Sequence, residues 1–404
     1  MDNERMFEVT IKEAKEELKR ICSTYLKKNT DESFVIPFNR QRPVMLLGPA
    51  GIGKTDIPKQ AAEEMGIGFL SYSITHHTRQ SLLGLPKIIS KNYGKDEALV
   101  TEYTTSEIIA AVNDEIENSG KSEGILFIDE VNCASETLTA PLLQLYQNKT
   151  LGKSSLAEGW ILVLAGNPGE YNRSAKEFDA VTRDRMRVIN VRPDSSVWLE
   201  YAEKRKLNPS VISYVAMEKD NFYRFDEDES IVTPRGWEEL SINLDLYEKD
   251  DYEITKAFIY QFISSQAVVM DFYNHYNLTK KAVSEQDLES ILSGKTDKNL
   301  IKRMKDMTKS IRFAFTVLIS RSLRLKIETD LDNAGEYFEN VMSFFEKAFP
   351  GEDEQELFMS RVLTEPEIVT AAIKNRNKKF LEYLSATANA DAEINKLIKK
   401  AEAV

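Results

Sequence analysis

The sequence predicts an α/β fold, a parallel sheet sandwiched by helices, followed by an all-α region. Short apolar runs alternate with helical periods from Val44 to about Val191. A glycine-rich loop joins the first of these runs to a helix. After Pro193 the strand pattern stops and long helical periods follow. Strand–helix alternation is what a parallel sheet with crossover helices requires. With 404 residues the chain exceeds what one core organises, so two or three domains are expected.

The elements follow in order. Ile11–Lys28 places Ile11, Ala14, Leu18, Ile21, Tyr25 and Leu26 on one face of an amphipathic helix. Strands are predicted at Val44–Leu47, Gly68–Ile74, Ile125–Ile128, Ile161–Ala165 and Arg187–Val191. Two insertions interrupt the alternation. One follows the stretch LLGLP, Leu82–Pro86, and runs to about Thr105. The other is Lys149–Gly159, with Gly152, Ser154 and Ser155 as turn signals. Helical periods then cover Asp251–Asn274, Lys298–Glu328, Asn333–Phe349 and Glu365–Leu384. The acidic run Asp226–Ser230 and the stretch Pro350–Gln355 read as loops. The apolar stretch Ala257–Tyr273 is broken by Gln261, Ser264, Ser265 and Gln266, so it reads as a buried helix and not a membrane span.

Composition narrows the function classes. Sixty-five acidic residues against 53 basic ones give a net charge of −12, which disfavours nucleic acid or an anionic membrane as the main partner. The two cysteines, Cys22 and Cys133, are far apart and lack metal spacing, as fits a reducing cytoplasm. The first residues, MDNERMFEVT, are too polar and acidic for a signal peptide, so a cytoplasmic protein is expected. His76 and His77 read as loop residues, since no third metal ligand accompanies them.

Five motifs carry chemistry. Gly48–Thr55 has the spacing G-x-x-x-x-G-K-T between a strand and a helix, the context of a phosphate-binding loop. The loop residues Gly48, Pro49, Ala50, Gly51, Ile52 and Gly53 would wrap a phosphate, the backbone N–H groups of all but Pro49 being able to face it, and the helix N-terminus adds its dipole. Lys54 would reach the β- and γ-phosphates, and the Thr55 hydroxyl would ligate Mg²⁺. Pro58, near the end of the first helical turn, is expected to bend that helix slightly. The second motif, GILFIDEVN, sets Asp129 and Glu130 at the carboxyl end of a buried strand, where Asp129 can hold Mg²⁺ and Glu130 can polarise an attacking water. In WILVLAGNPGE, Asn167 follows a strand and could position that water. In FDAVTRDRMRV, Arg183, Arg185 and Arg187 cluster before the last strand. In VTPRGWEEL, Thr233 and Pro234 open a helix with Arg235 in its first turn, where its charge opposes the dipole and hints at another task.

The order GPAGIGKT, LFIDEVN, AGNP, the DRM arginine and TPRGWEEL resembles an AAA+ ATPase with a P-loop NTPase core, and more narrowly the MoxR-like branch of dynein-related type. The resemblance covers about Phe38–Leu246. It implies Walker A at Lys54 and Thr55, Walker B at Asp129 and Glu130, sensor 1 at Asn167, sensor 2 at Arg235 and an arginine finger best matched by Arg185. The family usually has Asp-Arg-Phe where this chain has Asp184, Arg185 and Met186, and Arg where it has Cys133. The resemblance also implies ATP and Mg²⁺ as cofactors, a homo-hexameric ring and a chaperone-type role in remodelling or maturing a partner, often a von Willebrand factor A (vWA) domain protein. On this reading residues 1–193 form the nucleotide-binding core with its N-terminal helix, 194–295 a helical lid with sensor 2, and 296–404 a helical extension. The two insertions sit where this branch carries its helix-2 insert and pre-sensor hairpin. A nucleotide-gated scaffold with little turnover and a nucleic-acid-directed machine are the competing readings. The intact Lys54, Asp129, Glu130 and Asn167 argue against the first. The acidic balance and the lack of a recognisable nucleic-acid module argue against the second.

Overall fold

The computed structural model describes residues 7–93, 96–169, 175–225, 230–350, 352–362 and 368–369. Six strands form its main sheet: β1 (Glu8–Val9), β2 (Val44–Leu47), β3 (Gly68–Ser73), β6 (Gly124–Asp129), β9 (Trp160–Gly166) and β10 (Arg187–Val191). Their order is β1-β10-β2-β9-β6-β3, and every neighbouring pair is parallel. Five of these are the predicted apolar runs. The sixth, β1, was not expected, because two residues are too few to show a period. A parallel sheet covered on both faces needs strands apolar throughout. Accordingly Ile125–Ile128 of β6 and all of β9 are buried. Each Ile, Leu, Val or Phe side chain among them contributes about 1.5–3 kcal/mol by leaving water.

Register brings the motifs to one edge. Leu47 of β2 pairs with Gly166 of β9, and Ile128 of β6 pairs with Leu164 of β9. The glycine loop, Asp129 and Asn167 therefore leave the carboxyl ends of three adjacent strands, where open α/β sheets form their ligand crevice. The helix Asp56–Met65 starts directly after Thr55 and ends at Gly66. Pro58 is its third residue, where the backbone N–H has no intrahelical acceptor, so the ring removes no helix bond. The N-terminal helix spans Ile11–Tyr25, stopping short of the expected Lys28, and opens on a capping box between Thr10 and Glu13.

Both insertions are antiparallel hairpins. The first pairs β4 (Pro86–Tyr93) with β5 (Asp96–Tyr103) and exposes Ile88 and Leu99. The second pairs β7 (Thr150–Leu151) with β8 (Ser154–Ser155). Lys149 leads into this second hairpin as the left-handed cap of the helix Glu136–Asn148. It is 2% exposed, and its Nζ has no hydrogen-bond partner among the described residues. Burial pushes its pKa down from 10.5 to about 7. Between those values the unfolded chain binds a proton that the folded chain does not, so stability rises with pH there. The penalty is full below about pH 7 and gone above about pH 10.5. Lys149→Met is expected to stabilise the protein by about 2–4 kcal/mol at neutral pH and by little above pH 10.5. Denaturant melts across pH check this; equal gains at both ends would refute it.

The chain divides into two units, one running to Val197 with Thr233–Arg235 added, the other holding Trp198–Val232 and the chain from Gly236 onward. The second unit is helical and contains two cores. Trp198, Tyr214, Trp237 and Phe272 anchor one. Phe315, Phe338, Phe345 and Phe358 anchor the other. Several expectations are corrected here. A short antiparallel pair, β11 (Arg224–Phe225) and β12 (Ile231–Val232), follows the point where strands were expected to stop. The period Asp251–Asn274 is two helices, Lys256–Tyr260 and Gln266–Ala282. Between them Ser264 Oγ accepts from Ile231 N–H at 2.6 Å, which holds the break. The period Lys298–Glu328 likewise splits into Lys298–Lys305 and Lys309–Thr329, with the Thr308 side chain capping the second. The expected loop Pro350–Gln355 becomes helical at Glu352, the start of Glu352–Val362, since acidic residues suit a helix N-terminus. The expected helix Glu365–Leu384 lies outside the described residues except at 368–369, and the acidic loop Asp226–Ser230 lies outside them except for Ser230. Among the described residues no helix is long and apolar enough to cross a membrane.

Candidate nucleotide site

The loop after β2 is closed by its own turns and by the turn at Thr233. Gly51 has φ +75°, and a Cβ there would lie 2.8 Å from Thr233 Cβ, so only glycine fits. Beside it, the Arg235 N–H donates to Gly51 O at 3.2 Å. Lys54 is 7% exposed. Its Nζ donates to Gly48 O at 2.8 Å, Pro49 O at 2.6 Å and Asn167 Oδ1 at 2.7 Å. Burial pushes its pKa down to about 8; the Asp129 charge opposes that shift and the Arg235 charge adds to it. An ammonium carried in a dry loop and held only by neutral acceptors is a poised site for an anion.

Thr55 Oγ1 donates to Asp129 Oδ2 at 2.8 Å. The other carboxylate oxygen of Asp129 accepts from Glu130 N–H at 2.8 Å. A hydroxyl and a carboxylate side by side are hard oxygen donors of the kind Mg²⁺ takes, with waters and phosphate oxygens filling its other positions. Among the described residues no group of three or more His, Cys, Asp or Glu could hold a metal by itself. One hydroxyl and one carboxylate, Thr55 and Asp129, fit a cation whose other ligands are waters and phosphate oxygens.

Glu130 is in the left-handed region, φ 57° and ψ 29°, a conformation few non-glycine residues adopt. Its Oε2 accepts from Ser73 Oγ and Thr75 Oγ1, both at 3.0 Å. Sequence reasoning missed these two hydroxyls. Ser73 ends β3 and Thr75 lies in the turn just after it, and only the pairing of Ser73 with Asp129 makes them neighbours of Glu130. Asn132, also missed as a site residue, is 6% exposed and bonded to the main chain of Asn167. The structure thus gathers Lys54, Thr55, Asp129, Glu130, Asn167 and Arg235 about the glycine loop.

Arg185 lies elsewhere. It caps the short helix Ala180–Asp184 and precedes β10, whose Arg187 pairs with Val44 at the start of β2. It is therefore at the amino end of the strands, away from Lys54. There it lines a cleft of about 440 Å³ with Arg40, Arg42, Tyr146 and Asp184 among others. Arg187 is occupied: a guanidinium nitrogen lies 3.4 Å from Glu17 Oε1, and the group sits over the Tyr25 ring at 5.9 Å. Arg183 and Arg185 are exposed.

Residues 43–186 match the family model described as the AAA domain of the dynein-related subfamily. The matched segment contains the glycine loop, Asp129, Glu130, Asn167 and Arg185, while Arg235 lies beyond it. No curated protein matches the chain. The match and the six-stranded parallel sheet with its helical C-terminal region agree with an AAA+ fold, and an AAA domain points to an ATP-binding ATPase.

Proposed function

We propose that this chain is an ATP-hydrolysing motor of the MoxR-like type, which assembles as a homo-hexameric ring and uses Mg²⁺–ATP to remodel or mature a partner protein, a vWA-domain protein being the first candidate. The observation that carries the reading is the convergence on one glycine loop of a buried ammonium, a paired hydroxyl and carboxylate, a second carboxylate and an amide. Bound Mg²⁺–ATP supplies the phosphoanhydride and a cation that neutralises its charge. Lys54 exchanges the Gly48 and Pro49 carbonyls for phosphate oxygens, and the anion restores the charge that burial disfavours. Thr55 and Asp129 hold the cation. Glu130 takes the proton of the attacking water, and Asn167 orients that water. The Ser73 and Thr75 hydroxyls both donate to Glu130 Oε2, so taking a proton at that oxygen requires those bonds to loosen.

Arg185 at the amino end of the strands and the glycine loop at the carboxyl end support a head-to-tail interface, in which one subunit's arginine completes the next subunit's site. The exposed hairpin residues Ile88 and Leu99 offer apolar surface for a polypeptide partner.

The first test is Lys54→Ala. Loss of a charged donor to phosphate is expected to weaken binding of a fluorescent ATP analogue by about 10–150-fold and to abolish turnover, with the fold retained by circular dichroism. In the parent chain, affinity should fall as pH rises through about 8, because Lys54 deprotonates, and binding above that pH should take up a proton. Equal affinity and turnover in the two proteins would sink the phosphate-loop reading.

A further inference from the structure

Asn132 occupies a position that neither the loop chemistry nor the strand pattern explains. Strand β6 pairs with β9 as far as Ile128 and Leu164, and then the chain turns away at the left-handed Glu130. The main chain of Asn167, just beyond β9, would thereby lose its partner on that side. The side chain of Asn132 returns to fill the gap. Its Nδ2 donates to Asn167 O at 2.6 Å, and its Oδ1 accepts from Asn167 N–H at 3.3 Å. One amide thus imitates a strand residue and satisfies both backbone groups of Asn167. The approach is close: a Cβ on Gly166 would lie 2.5 Å from Asn132 Oδ1, so glycine before Asn167 is what admits the clamp. The Asn132 carbonyl in turn accepts from Lys176 N–H at 2.8 Å, which fastens the 3₁₀ turn carrying it.

We infer that Asn132 is a positioning residue, which fixes the backbone of Asn167 so that its side-chain amide meets Lys54 and the reaction centre at a set distance. This rests on the reading of Asn167 as the amide that orients water. The clamp also ties the end of the strand bearing Asp129 and Glu130 to the turn bearing Asn167. Both halves of the water-activating apparatus then move as one body. A buried side chain that satisfies two backbone groups is costly to remove, because both are left without partners.

The test uses the full chain with Asn132→Ala, Asn132→Asp, Asn167→Ala and the Ala/Ala double variant. In nucleotide-free protein, amide hydrogen exchange at Asn167 should speed up at least about tenfold in Asn132→Ala, since its N–H loses its acceptor. With Mg²⁺–ATP, kcat should fall about 10–100-fold while affinity for a fluorescent ATP analogue stays within about threefold, as expected when a reacting group is misplaced but still present. Adding Asn132→Ala to Asn167→Ala should cost less than about threefold more. Asn132→Asp is isosteric and keeps the acceptor while losing the donor. It serves if the alanine variant fails to fold, and at least about a tenfold loss of kcat is expected from it. Unchanged exchange at Asn167 in Asn132→Ala would overturn the clamp. Faster exchange with undiminished kcat, in a background where Asn167→Ala is impaired, would overturn the positioning role alone. An unimpaired Asn167→Ala would overturn the water-orienting reading beneath it.

Discussion

Arg185→Ala is expected to lose about 10³–10⁵-fold of ATP turnover while still binding nucleotide, and to be rescued in part by subunits that cannot bind nucleotide themselves. The reason is placement. Arg185 precedes β10 at the amino end of the sheet, and the glycine loop follows β2 at the carboxyl end. A guanidinium there has no route to the phosphates of its own loop, yet the transition-state charge on the phosphoryl oxygens is stabilised by a cation beyond Lys54 and Mg²⁺. Mixing supplies the check. Arg185→Ala keeps an intact loop and Lys54→Ala keeps an intact arginine, so mixed rings should regain activity where a good loop meets a good arginine. No recovery despite demonstrated co-assembly would sink the trans assignment. Normal turnover by Arg185→Ala alone would move the role to Arg183, because Arg187 is already held by Glu17 and the Tyr25 ring.

Glu130→Gln is expected to bind Mg²⁺–ATP and to hydrolyse it about 10²–10⁴-fold more slowly. Glutamine keeps the length of the side chain and an oxygen that can accept from Ser73 and Thr75, so the local structure should survive. Asp129 and Thr55 remain for the cation. What is lost is the base. This form should also hold the partner longest, so affinity capture with it, followed by identification of what is retained, tests the remodelling reading. Turnover within a few-fold of the parent would remove Glu130 from the role of base.

The parts of the site that could be read from the sequence are those set by short-range rules. A glycine loop between an apolar strand and a helix is recognisable because φ above zero at Gly51 and the reach of Lys54 are local demands on the chain. Asp129 and Glu130 stand out because a fully buried strand must end where charge begins. The helical region was less legible. Asp251–Asn274 keeps an apolar period across a break, since Ser264 spends its hydroxyl on Ile231, a residue 33 positions away. Periodicity reports which face is buried and not whether the backbone is continuous, so two consecutive helices packed on one core look like one long helix.

The sequence by itself determined the class of fold, five of the six strands of the main sheet and the loop that would meet a phosphate, because propensity, apolar pattern and glycine geometry act within a few residues. Tertiary structure alone decided which strands are neighbours. The order β1-β10-β2-β9-β6-β3 sets Ser73 and Thr75 against Glu130, and Asn132 against Asn167. It also gave three arginines that look alike in the sequence different surroundings, setting Arg187 against Glu17, exposing Arg183 and Arg185, and placing Arg185 beside a cleft. The physical reason is the same in each case. These are pairings between residues tens of positions apart, and their distance is fixed by strand adjacency and packing, which no local rule encodes.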